Sequence, residues 1–325
     1  MARLHITRTN PTVSVQDHGR TGAMRYGVSQ AGPMDWVRHA HALKLAGGKG
    51  TAAFEVGLGG AAFRAEGRVR IAVTGPGFLV SLGSGETFAP PLALTLEDGA
   101  TLSLQPGKWG MWAYVAVAGI KFGEPVLGSY ATNVRTGMGQ RDATDFACKD
   151  ADPLSPSLYD DVYDGDGPIA ILEGPQHHLF DALVHDLMAA SSYALTDAVD
   201  RMGYRLSGPE LTARDGHDII SDGIVEGAIQ VPGNGQPIVL CADRQPTGGY
   251  PKIAVVARAA RPRLTQKRPG DPVAFRWITA KDARRRVKVL QDKIAHPTPR
   301  IRAEFTPQYL FERNLVGGVW DPKQS

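Results

Sequence analysis

The residues best suited to chemistry fall in three glycine-rich clusters. The richest runs from Gly227 to Lys252. Its apolar stretch Pro237–Ala242 delivers Asp243 and Arg244 into a turn that contains Thr247, Gly248, Gly249 and Tyr250, and Lys252 leaves that turn. Main-chain N–H groups around Gly248 and Gly249 are expected to form an anion-binding nest. Gln230 carries a donor and an acceptor on one amide, which suits recognition of an amide or ureido group. Gly-Gly turns are equally ordinary in β proteins. The second cluster, Asp200–Pro209, holds Arg201 and Arg205. Met202 and Tyr204 alternate with them as strand residues do, which puts both arginines on one face. Two guanidinium groups so placed can grip a carboxylate or phosphate; a surface strand with ion pairs fits the same residues. The third cluster, Gln16–Gly22 with Gly27–Asp35, sets Arg20 and Asp35 on short turns that glycine permits. Asp17 and Arg20 also read as a turn ion pair, and Asp35 as a helix N-cap.

Other chemistry is not signalled. There is no Walker-type phosphate loop, no dinucleotide fingerprint and no nucleophile elbow, so ATP binding by a familiar loop is not expected of this chain alone. His39 and His41 stand two apart on a helix and face different ways, and His177–His178 is a poor chelate, so no metal is expected. The two cysteines, Cys148 and Cys241, are far apart. They suggest neither a zinc site nor a disulfide framework, and a reducing, cytoplasmic setting is the easier reading. A net charge of +3 is too small to argue for nucleic acid. The basic excess gathers in Arg258–Arg268 and Arg284–Lys293, which fits a solvated face or a docking surface for an acidic partner. The polar N-terminus lacks the apolar core of a signal peptide, and no run of about 18 apolar residues suggests a membrane span.

The elements that must position these clusters are mostly strands. The 38 glycines and 23 prolines punctuate short apolar runs such as Val69–Thr74, Leu92–Leu96, Trp112–Val117, Ile169–Leu172, Ile229–Val231, Ile238–Ala242 and Ile253–Ala257. Their spacing favours sandwiches or barrels, a mainly β protein with a few short helices. Leu92–Leu96 and Thr101–Leu104, joined through Glu97–Gly99, predict a hairpin. Three helices are expected. One runs from Asp35 to Gly47 with Trp36, Ala40 and Leu43 buried. Another runs from Gln176 to Ala190 with Phe180, Val184 and Leu187 as its stripe beside Leu179 and Leu183. A third starts near Asp282 with Val287, Leu290 and Ile294 on one side. The acidic, proline-bearing stretch 142–167 predicts a boundary. It divides the chain into 1–150, 151–280 and a basic helical tail 281–325. Thr74-Gly75-Pro76 echoes Glu173-Gly174-Pro175, a hint of two related halves.

Taken in order, these segments resemble the KipA-like family, also called allophanate hydrolase subunit 2 or biotin-dependent carboxyltransferase subdomains A and B, which takes in one component of the bacterial 5-oxoprolinases. The motifs that carry the resemblance are Gln16–Gly22, Gly27–Asp35, Glu55–Gly60, Thr74–Gly75, Pro125–Ser129, Asp200–Pro209, Gly227–Leu240, Asp243–Arg244 and Thr247–Ile253. They span about residues 15 to 275, and Thr136–Cys148 departs from the family pattern. The resemblance implies two cyclophilin-like β-barrel subdomains. It implies partnership with a KipI-like subunit and a LamB/YcsF-like subunit in an ATP-dependent 5-oxoprolinase, which opens a cyclic amide to glutamate. Relatives within urea carboxylase move a carboxyl group from biotin to urea. This chain has no Met-Lys-Met biotinylation site, so that route would need other chains. A non-catalytic regulator that binds a KipI-like kinase inhibitor uses the same scaffold. On the hydrolase reading, Gln230 and Asp243 are expected at the ring amide, and Arg201 or Arg205 at a carboxylate or phosphorylated intermediate. Lys252 with the 248–249 turn is expected at the developing oxyanion, and Asp35 at the pocket wall. Asp243, Lys252 and Arg201 are thus the expected catalytic residues. Arg20, Arg244, Thr247 and Tyr250 join the binding set.

Overall fold

The computed structural model describes residues 1–140, 143–163, 167–214 and 216–300. Residues 301–325 of the expected tail lie outside the described residues. The N-terminal half folds into two six-stranded sheets. One is ordered Asp145–Cys148, Ala2–Arg8, Ala61–Glu66, Thr101–Pro106, Phe78–Leu82, Thr87–Phe88. The other is ordered Ser157–Leu158, Leu92–Leu96, Val69–Thr74, Ala113–Val117, Ala53–Val56, Val13–Gln16. The aromatic pair Phe54 and Phe146, with ring centroids 5.1 Å apart, joins the two across their shared core. The C-terminal half closes into a seven-stranded barrel that begins at Ile169. The protein is mainly β, as its turn spacing indicated.

The expected hairpin between Leu92–Leu96 and Thr101–Leu104 does not form. Those strands lie in different sheets, and Glu97–Ala100 turns the corner between them. The reason is legible in burial. Leu92–Leu96 is buried at all five positions, whereas Thr101–Pro106 buries Leu102 and Leu104 while exposing Thr101 and Gln105. A strand buried on both faces needs neighbours that an alternating hairpin partner does not supply.

Helix α1 (Trp36–Leu45) starts where expected. The Asp35 carboxylate accepts from the Val37 and Arg38 N–H groups at 3.1 and 3.0 Å. Its expected stripe is displaced. Val37, His41 and Ala42 are fully buried, while Trp36 and Ala40 are only partly so. The helix is packed on more than one side, against the Ala113–Val117 strand and against the last helix among the described residues, α4 (Ala280–Ala295). Helix α2 (Ala182–Ala190) buries Met188 and leaves Leu183 and Leu187 exposed, so its stripe runs through Phe180, Val184 and Met188 instead. The short α3 covers Arg261–Thr265, with Pro262 in its first turn. Helix α4 is capped by Thr279 and lays Val287, Leu290 and Ile294 against Val37, Val162 and Ala259. Residues 280–295 are therefore docked against the rest of the fold.

The division at residue 150 also shifts. Ser157–Leu158 pairs with Leu92–Ala93, so the N-terminal sheet extends past that point. The echoed Gly-Pro turns occupy like places. Each ends a strand, Val69–Thr74 or Ile169–Glu173, that pairs antiparallel with a later strand of its own half. A side chain at Gly75 would meet Ala113, and one at Gly174 would meet the Lys252 carbonyl.

Candidate functional site

The halves are joined by a buried polar seam. Arg201 reaches from the barrel and grips both Asp243 carboxylate oxygens, from Nε at 3.0 Å and Nη2 at 2.9 Å. Nη2 also donates to the Gly32 carbonyl at 2.7 Å, and Nη1 contacts Glu55 on the Ala53–Val56 strand. The other oxygen of Glu55 accepts from the Met34 N–H and the Tyr114 hydroxyl, each at 2.8 Å. Tyr114 in turn accepts from the Asp35 N–H at 2.7 Å. Beyond its capping role, Asp35 receives Arg38 and the Gln266 amide, both at 2.8 Å. Burial opposes charge on Arg201, but the neighbouring Glu55 and Asp243 outweigh it and hold the guanidinium protonated more firmly than usual. Burial also pushes the Glu55 carboxyl upward, against the pull of Arg201.

These contacts show what surrounds part of the expected site. Arg201 and Arg205 do not act together. Residues 200–202 form a bend before the strand Gly203–Ser207, so Arg201 turns into the seam while Arg205 stays exposed on that strand. Arg201 has four of its five N–H groups engaged, and both Asp243 oxygens are taken by it. Both residues are thus tied into the seam, and Asp35 is held there as well.

A pocket of about 580 Å³ gathers the other members of the set. Arg205, Gln230, Thr247, Gly248, Gly249 and Tyr250 line it. Gln230 is 7% exposed, and its Nε2 has no partner. Lys252 pairs with Gln230 across the ladder, beside a bulge between Ile229 and Gln230. Lys252 is 1% exposed and its Nζ is also without a partner. Burial lowers the lysine pKa, and the carboxylate of Asp222 partly restores it. The Arg205 guanidinium makes no hydrogen bond or ion pair among the described residues. The pocket thus presents two donors, Gln230 Nε2 and the Arg205 guanidinium, that lack an acceptor among the described residues, with the carboxylates of Asp197 and Asp200 also in its lining.

The turn at Gly248 works differently from the expected nest. Neither Gly248 nor Gly249 has a positive φ, which an alternating nest requires. Instead Thr247–Gly248 pairs with Asp222–Gly223 as a two-stranded ribbon. Gly248 is needed for its size: a Cβ there would stand 2.6 Å from Gln230 Nε2 and 2.7 Å from Ile224 Cδ1. Two further expected residues lie elsewhere. Arg244 lines a separate cleft. Arg20 is buried at 1% exposure, with Nε and Nη1 unpartnered and Nη2 on the Ala131 carbonyl. Reading for chemistry missed Glu55 and Gln266, whose buried positions at the seam the sequence marks only by a strand and a short helix. It also missed Arg135, which reaches the pocket rim from the N-terminal half and pairs with Asp200 at 3.3 Å. Among the described residues no group of three or more His, Cys, Asp or Glu is placed to hold a metal. No helix among them is long and apolar enough to cross a membrane.

Comparison with known proteins agrees with this architecture. Residues 26–277 match the family described as carboxyltransferase domain, subdomain A and B. The chain is 33% identical over 299 residues to the C component of the 5-oxoprolinase of Escherichia coli (strain K12), covering 89% of this chain and 95% of that protein. It superposes on the solved structure of TTHA0988 with a TM-score of 0.74 and 28% identity. That match covers 85% of this chain but only 55% of the other, so the chain spans about half of that protein. The K. lactis urea amidolyase structure, at TM-score 0.81 and 24% identity, covers 90% of this chain and 20% of its own; it shares the fold. The seam-and-barrel chain described above therefore belongs to the carboxyltransferase family built from subdomains A and B.

Proposed function

We propose that this chain is one subunit of an ATP-dependent 5-oxoprolinase, acting with a KipI-like and a LamB/YcsF-like subunit. The observation that carries the reading is the buried, unpartnered Gln230 Nε2 in one pocket with the free guanidinium of Arg205, while the unpartnered Lys252 Nζ belongs to the neighbouring strand. Buried polar groups without partners are costly, so a site that keeps them is built for an acceptor that arrives later. A five-membered lactam bearing a carboxylate supplies both kinds of acceptor. Arg205 takes the carboxylate in place of Arg201. Gln230 and Lys252 face the ring carbonyl in place of Asp243. Hydrolysis adds water to that carbonyl carbon and breaks the C–N bond. The nitrogen takes a proton and leaves as the amino group of glutamate. Charge building on the carbonyl oxygen is stabilised by the two donors, and such stabilisation is commonly the largest catalytic contribution. ATP is consumed by the assembled complex.

The test is ATP-dependent glutamate release from 5-oxoproline, with all three subunits present and each omitted in turn. Loss of release when this chain is left out supports the reading. Undiminished release without it overturns it. The family description favours one second reading, transfer of a carboxyl group from biotin to urea or a similar small amide. That reading predicts inhibition by avidin, which the hydrolase reading does not. Tight binding to a KipI-like protein without turnover in any mixture would instead indicate a regulator.

A further inference from the structure

A second cleft, of about 690 Å³, lies between the halves and shares only Ile224 with the lining of the pocket above. Trp36, Met24 and Gln30 form one wall; Arg244, Arg258 and Arg261 face them with a single carboxylate, Glu226. Glu226 is taken by Arg261 at 2.7 Å, and the Nε of Arg261 is buried without a partner. Arg244 is 3% exposed, yet no carboxylate is among its partners. Its Nε donates to the Ile224 carbonyl at 3.0 Å, and its Nη2 meets only the Gln30 amide oxygen at 3.3 Å and the Met24 sulfur at 3.6 Å. Arg258 lies over the Trp36 ring, its Cζ 4.6 Å from the centroid, and its guanidinium makes no ion pair among the described residues. Burial and the nearby Arg261 both act against the positive charge of Arg258. Like charges gathered in a cleft repel one another, and an anion relieves that repulsion.

Three guanidinium groups against one carboxylate leave more positive charge than a single ligand carboxylate neutralises. Guanidinium forks also match phosphate oxygens with paired hydrogen bonds. We propose that this cleft binds the polyphosphate group of a small phosphoanion, with Arg258 and Arg261 on its outer oxygens and Arg244 anchoring it from the floor. The residues differ from those of the lactam pocket, and the proposal does not depend on the oxoprolinase reading.

The experiment is calorimetric titration of the full chain, without partner subunits, with pyrophosphate, ATP and inorganic phosphate in turn. The expected result is saturable one-to-one binding of pyrophosphate and ATP, with phosphate weaker. Arg258→Gln and Arg261→Gln should each weaken binding by about tenfold or more, as expected for loss of a charged hydrogen bond. Arg258 is exposed, so its replacement leaves the fold intact. Arg205→Gln, in the other pocket, should leave the affinity unchanged. ATP binding more tightly than pyrophosphate would identify a nucleotide as the source; equal affinities would identify the bare polyphosphate. Absence of saturable binding for both ligands overturns the proposal. So does an affinity indifferent to both cleft variants, or one lost in Arg205→Gln.

Discussion

The seam and the barrel pocket contain the same kinds of residue in opposite states. At the seam, Arg201 is ringed by Glu55, Asp243 and a carbonyl, and Glu55 takes two more donors. In the pocket, the Arg205 guanidinium and Gln230 Nε2 have no acceptors among the described residues, nor does Lys252 Nζ on the next strand. The contrast separates charge used to hold two halves together from charge held ready for something else. It also explains why residue type alone misassigns them: Arg201 and Arg205 are four residues apart in one motif, yet only the second faces open space.

The largest effect on this contrast is expected at the seam. Arg201→Met leaves Glu55 and Asp243 buried without their cation, and should destabilise the chain by roughly 3–5 kcal/mol in denaturant unfolding. Wild-type stability with lost activity would move Arg201 back among the catalytic residues. Next is a pH effect in the N-terminal half. Burial lowers His39 and His41 to about 4 each, and His41 has no partner on either ring nitrogen. The unfolded chain takes up protons that the folded chain excludes. Their contribution is therefore complete above the ordinary value of 6.5 and is lost as pH falls toward about 4. The loss is up to roughly 3 kcal/mol per histidine. His41→Leu should flatten that slope, and an unchanged slope would show that His41 is not its source. At the pocket, Gly248→Ala drives a methyl into Gln230 and Ile224. It should cost about 1–3 kcal/mol by overpacking and weaken substrate binding more than stability alone explains. The smallest effect is that of Arg205→Gln at the pocket lip. It should raise KM for 5-oxoproline about tenfold, as for one lost charged contact, with little change in melting temperature. An unchanged KM would remove Arg205 from the carboxylate.

Much of the fold was legible because short strands announce themselves by apolar runs between glycines. Val69–Thr74 and Leu92–Leu96 fall where the pattern puts them. Pairing was not legible. The Glu97–Gly99 turn has hairpin chemistry, but burial on both faces sent its flanking strands to different sheets. Helix α1 was placed correctly by its Asp35 cap, yet its buried face was misread, because a helix packed on several sides has no single stripe. The site divided the same way. Gln230 and Gly248–Tyr250 were found as a cluster because they are close in sequence and the ribbon Thr247–Gly248 folds back over the strand that carries Gln230. The seam contacts of Arg201 were not, because Glu55, which fixes it, is 146 residues away. Long-range ion pairs leave no local signature.

Lys252 is the residue on which the division between seam and pocket turns, because it pairs across the ladder with Gln230 and its buried ammonium has no partner among the described residues. The decisive measurement is glutamate release and melting temperature, side by side, for Lys252→Met in the assembled complex. Loss of a donor at a developing oxyanion should cut turnover by about 100- to 1000-fold. Removal of an unpaired buried charge should leave the melting temperature unchanged or raise it. Wild-type turnover, or a loss of turnover matched by a loss of fold, would contradict this role and return Lys252 to the class of residues that serve only the structure.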